Sequence, residues 1–110
     1  MAFAFFKVFS LDNIAAGTSK SDSWTPDKAY TIKRIYVQNK AGSALTASTF
    51  TMSQAGFSFT QPEVPARLLS PDNFLNPELN LSIAPTKLDF AVKNGETASI
   101  SVFVVFEVHE

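Results

Sequence analysis

Apolar and polar residues alternate over short runs along most of this chain, and nowhere do apolar positions recur at the spacing of an amphipathic helix. Successive side chains of a strand point to opposite faces, so each run divides into two sets. Leu88, Phe90 and Val92 form one set; Ala98, Ile100, Val102, Val104, Phe106 and Val108 form another. Between them stands Asn94-Gly95, the strongest short-range hairpin signal a sequence offers. A two-residue loop there would set Phe90 opposite Ser99 and expose a whole apolar set, which is costly. A three-residue loop, Lys93-Asn94-Gly95, with Gly95 in the left-handed region and a G1 bulge, brings Phe90 opposite Ala98 and Leu88 opposite Ile100. The pattern therefore predicts a bulged hairpin over residues 88–109.

Two stretches are apolar on both faces. One is Val102 to Phe106 and the other is the N-terminal AFAFFKVF, Ala2 to Phe9. A strand apolar on both sides belongs in the middle of a stacked structure or at a contact between subunits. Two readings follow: the terminal strands are neighbours in one core, or the N-terminal one adds to a neighbouring subunit by strand addition.

Elsewhere, Leu11 to Gly17 reads as a turn region, and Thr18 to Trp24 as an exposed edge strand whose Lys20 and Asp22 discourage aggregation. Ala29 to Gln38 is a strand rich in β-branched and aromatic residues. Its apolar phase shifts at Lys33-Arg34, which points to a bulge. Leu45 to Gln54 reads as a half-exposed strand with Phe50 and Met52 on one face. Ala55-Gly56 breaks it, and Phe57 and Phe59 start another short strand. Gln61 to Pro77 holds four of the six prolines and yet carries Val64, Leu68, Leu69, Phe74 and Leu75. Such a segment is a long loop that must pack in part, and it is the leading candidate to reach a partner or ligand. Leu79, Leu81 and Ile83 then alternate cleanly before the final pair of strands.

The sum is one domain, residues 1–110, of class all-β: an antiparallel β-sandwich of seven to eight short strands, jelly-roll-like. In strand rhythm and composition it resembles the single-jelly-roll structural proteins of virus particles, capsid or capsid-decorating subunits. That resemblance implies a virion location, a cyclic homo-oligomer such as a trimer or pentamer, other structural subunits as partners, and no chemistry.

Composition narrows the function further. Charged residues make up only 17%, against about 25% in an average soluble domain, and there are eleven phenylalanines. So little charge leaves apolar surface for a partner to cover. The net charge is −1 and the basic residues are scattered, so no stripe for nucleic acid is visible. Without cysteine there is no thiolate chemistry. The N-terminal apolar run ends at Lys7, too soon for a signal sequence or a membrane span. The single histidine, His109, is penultimate, a poor platform for a catalytic triad or a metal site. Catalytic, metal-ligating and cofactor-binding residues are accordingly expected to be none. The candidate subunit-contact residues are Phe3, Phe5, Phe6, Phe103, Val105, Leu68, Leu69 and Phe74. An alternative is a carbohydrate-binding module with Trp24, Tyr30 and Tyr36 as rings for a glycan, although Trp24 beside a turn also reads as a plug over the core. A pilus or adhesin subunit completed by strand donation from residues 2–9 is a further alternative.

Overall fold

The computed structural model describes residues 3–60, 62–71 and 76–110. They contain nine strands: β1 (Phe3–Ile14), β2 (Ser19–Trp24), β3 (Tyr30–Asn39), β4 (Thr49–Gln54), β5 (Phe57–Ser58), β6 (Val64–Pro65), β7 (Leu81–Ile83), β8 (Leu88–Lys93) and β9 (Ile100–His109). One turn of 3-10 helix, Ala66–Leu69, follows β6. The strands make two antiparallel sheets, ordered β1-β9-β3-β7 and β2-β8-β4-β5, with β6 paired to β4. The expected sandwich is present. The short strand expected at Phe57 is β5, and the count exceeds eight through the two-residue strand β6, which alternation over so few residues cannot reveal.

The pairings are nested: β1 with β9, β2 with β8, β3 with β7, β4 with β5. A chain doubled back on itself and then wrapped has this order, which is the jelly-roll winding. The nesting overturns the expected terminal hairpin. β8 lies between β2 and β4 in one sheet, while β9 lies between β1 and β3 in the other. Phe90 is paired with Asp22 and Met52, not with Ala98, and Ile100 with Ile14, not with Leu88. Leu88, Phe90 and Val92 are buried as expected, as are Ile100, Val102, Val104, Phe106 and Val108, whereas Ala98, expected among them, is exposed because it precedes β9. The two buried sets meet face to face across the sandwich instead of edge to edge. The Phe90 and Phe106 rings, 5.3 Å apart and nearly perpendicular, make that contact at its centre.

The Asn94-Gly95 segment is consequently a crossover between sheets. Asn94 is fully buried, a costly position for an amide unless every polar group finds a partner. Its Nδ2 donates to the carbonyls of Ile14 and Ala98, both at 2.8 Å, and its Oδ1 accepts from Glu96 N at 2.7 Å. Its backbone N–H donates to Thr18 O and its carbonyl accepts from Gly17 N, each at 2.8 Å. One residue thus ties the β1–β2 turn to the β8–β9 crossover. Gly95 is outside the left-handed region that the sequence reading assigned to it. It is required for space, since a Cβ there would lie 2.1 Å from the carbonyl oxygen of Ala47. The tight hairpin occurs elsewhere. Gln54 pairs with Phe57 around Ala55 (φ 52°) and Gly56 (φ 80°), and positive φ at both central residues is what a type I′ turn demands.

The other departure from the sequence reading is the length of β1. Residues 11–14 continue the strand instead of turning, because Asn13 adopts φ 56° and the register against β9 slips between Leu11 and Ile14. That bulge buries both Leu11 and Ile14 despite their three-residue spacing, which strict alternation forbids. The bulge expected at Lys33-Arg34 is present, as a register shift between Ile32 and Arg34. The expected edge strand over residues 18–24 is β2, at the margin of its sheet.

Candidate interaction face

Three strands of the first sheet lie side by side as β1, β9 and β3, and their register determines which side chains share its outer surface. Phe6 pairs with Glu107 and Glu107 with Arg34. Val8 pairs with Val105 and Val105 with Tyr36. Ser10 pairs with Phe103 and Phe103 with Gln38. Each strand turns its other parity into the core: Phe9 packs 4.8 Å from Phe90 and 5.8 Å from Phe106. The outer parity is left facing solvent. Phe6 is 56% exposed, Val8 52% and Phe103 37%, while Val105 and Tyr36 between them are half-buried. This is an apolar stripe across three strands on a chain that has little charge to cover it.

Both ends of the stripe carry opposite charges. At one end Lys40 Nζ lies 2.6 Å from Asp12 Oδ1 and 4.6 Å from the centre of the Phe103 ring, a cation–π contact. At the other, Glu107 gathers three neighbours. His109 Nε2 is 2.8 Å from Oε2, Tyr36 donates its hydroxyl to Oε1 at 3.4 Å, and Arg34 Nη1 stands 4.0 Å away. Burial first, and then the Glu107 carboxylate, push the Tyr36 phenol above its ordinary value, so it stays a protonated donor at neutral pH. Among the described residues, no three His, Cys, Asp or Glu side chains gather as a metal site, and no helix is long and apolar enough to cross a membrane.

Comparison with protein-family models, with curated proteins and with solved structures finds no match for this chain.

Of the residues singled out from sequence, Phe6, Phe103 and Val105 come together on this face. Phe5 does not: it turns inward, edge-on to Trp24 at 6.1 Å and to Tyr30 at 5.4 Å. Leu69 is buried in the core, while Leu68 is exposed on the proline-rich segment, away from the stripe. Phe74 and the side chain of Phe3 lie outside the described residues. Val8 and Tyr36 were missed as members of the face. Val8 shares parity with Phe6 and was within reach of the pattern. Tyr36 arrives there only because the bulge between Ile32 and Arg34 moves it to the opposite face from Tyr30. The same shift parts Tyr36 from the other two rings proposed for a glycan, Trp24 and Tyr30. Trp24 is half-buried, stacked on Tyr30 and Phe106 at 6.2 Å each, and Tyr30 donates its hydroxyl to Asp27 at 2.7 Å. Trp24 is the plug, and no common platform forms.

Proposed function

We propose that the protein is a non-enzymatic structural subunit that self-assembles into a larger particle, a virus capsid or capsid-decorating protein. The observation that carries this reading is the outer stripe of Phe6, Val8, Val105 and Phe103, with two of its side chains more than half exposed. A second copy of the chain is the occupant that suits it. The face carries an acid–base pair at either end, Arg34 with Glu107 and Asp12 with Lys40, so neither end presents an uncompensated charge to the same face of another copy. The aromatic and aliphatic centre supplies the affinity of such a self-contact.

The alternatives have less behind them. A sugar platform needs exposed rings in one plane, and Trp24 and Tyr30 pack inward. Strand donation needs an N-terminal strand without a partner at home, and β1 is paired along its length with β9 of its own chain.

The test is the molar mass in solution, by size-exclusion chromatography with light scattering, over a hundredfold range of concentration. The expected result is mass rising with concentration to a fixed multiple of 12.0 kDa. The pair of changes Phe6→Ser and Val8→Ser is expected to weaken association by at least about tenfold, with the folded spectrum kept because both side chains are exposed. A strict monomer at the highest concentration, or unchanged association of the double variant, overturns the proposal.

A further inference from the structure

Four described residues of the proline-rich segment, Val64, Leu68, Leu69 and Pro77, line a cavity of about 220 Å³ together with residues of β3, β4 and β7. Ile35, Phe50 and Met52 form its buried inner end. Leu68 and Pro77, both exposed, stand at its rim, so it has a mouth.

Among the described residues Thr60 is the one polar side chain lining the cavity, and its hydroxyl is occupied on both sides. It accepts from Met52 N at 3.2 Å and donates to the carbonyl of Pro62 at 3.3 Å. A polar guest would give up its water and gain no hydrogen bond in return, whereas an apolar one regains dispersion contacts that the empty wall lacks. Size decides the rest. A dry cavity of ~150 Å³ lined by Leu, Ile and Phe is known to take up benzene. The larger volume here accommodates one or two fused rings, or a branched aliphatic of similar bulk.

We infer that this cavity is a binding site for a small, uncharged apolar molecule of roughly six to ten heavy atoms. It lies on the core side of β3, behind Ile35, whereas Tyr36 of the same strand faces the outer stripe. Occupancy and self-association are therefore separate properties, and either can fail without the other.

Indole is a suitable probe, with imidazole as the polar ring control. Titration of indole into the whole protein, followed by methyl NMR, is expected to give saturable shifts at Ile35, Met52, Leu69 and Leu79 with a Kd near a millimolar. About ten times that concentration is expected to raise Tm by roughly 4–8 °C, and imidazole is expected to do neither. Val64→Phe and, separately, Leu79→Phe place a ring in the space and are each expected to weaken indole at least tenfold. Three results overturn the assignment: no saturable shift in the natural protein; imidazole shifts matching those of indole; or shifts centred on Phe6, Val8 and Phe103, which mark adsorption to the outer face. Unaltered indole affinity in a folded filled variant also overturns it. Should either variant not fold, the indole and imidazole titrations of the natural protein decide the question alone.

Discussion

Two glycine-containing connections redirect the chain, and they use glycine for opposite reasons. At Ala55-Gly56 the chain reverses within two residues, both at positive φ, and no atom lies within 4 Å of where a Gly56 Cβ would stand. Here glycine supplies a backbone angle. At Asn94-Gly95 the chain passes from one sheet to the other. Gly95 has no unusual φ, but its backbone presses against Ala47, and Asn94 and Glu96 on either side bind the neighbouring loops. Here glycine supplies room. A hairpin turn is a local device that concerns its own two strands. The crossover is a long-range one, because it fixes how the β1–β2 turn, the 45–48 loop and the β8–β9 connection converge on one end of the sandwich.

The sharpest way to separate the two is one added methyl group at each. Gly95→Ala drives a Cβ into a backbone carbonyl, so one of the two loops must move and the bonds from Ala47 N and Gly95 N are strained or lost. The expected cost is about 3 kcal/mol or more, read as a fall in Tm of more than ~10 °C. Gly56→Ala meets open space and pays only for its left-handed backbone, about 1–2 kcal/mol. Equal losses in thermal denaturation would erase the distinction.

Next in size is Glu96. Its carboxylate accepts from Ser48 Oγ at 2.7 Å, Ala47 N at 2.9 Å and Thr46 Oγ1 at 3.1 Å. The Ser48 bond above all, aided by Ala47 and Thr46 against the opposing effect of burial, holds its pKa below the ordinary 4.5. A carboxyl with a depressed folded pKa contributes stability that is present above its unfolded pKa and lost as pH falls through the folded one. Glu96→Gln is thus expected to cost about 1–2 kcal/mol at pH 7. The gap between the two proteins should shrink as the pH is taken below 4.5. Urea midpoints measured from pH 7 to pH 3 check this, and a gap that stays constant to pH 3 removes Glu96 from the account.

The smallest expected effect is a gain. Ala55 sits at φ 52°, where asparagine is far more at ease than alanine. Ala55→Asn places Asn-Gly at the hairpin that has the geometry for it and is expected to add about 0.5–1 kcal/mol, a rise in Tm of a few degrees. A lower Tm would mean that this turn is held by something other than its backbone angles.

Such pairs also show what was legible in the sequence. Alternation at Leu88, Phe90 and Val92, and from Ile100 to Val108, correctly named the inward faces, because burial of one face imposes period two. It could not name partners, since a face reads the same whether it meets a strand beside it or a sheet across from it. That is why a hairpin was expected where a crossover exists. Lys33-Arg34 betrayed its bulge by shifting the apolar phase, whereas the bulge at Asn13 hid behind polar residues that looked like a turn. The outer stripe was half visible. Phe6, Phe103 and Val105 stood out as the second apolar face of their strands, while Tyr36 joined them through register alone. The cavity left only an indirect trace, apolar residues scattered among prolines, because a void is a property of packing and no residue encodes it.

Nesting also governs the order in which this protein can assemble itself. β9 is the strand that joins β1 to the β3–β7 pair, so these two parts of the first sheet stay unjoined until residues 100–109 dock against residues 3–14: Phe3 pairs with His109 and Ile14 with Ile100. Bringing such distant segments together costs loop-closure entropy before any contact returns it. Folding on the millisecond-to-second scale follows, with the apolar edges of β1 and β3 bare in the meantime.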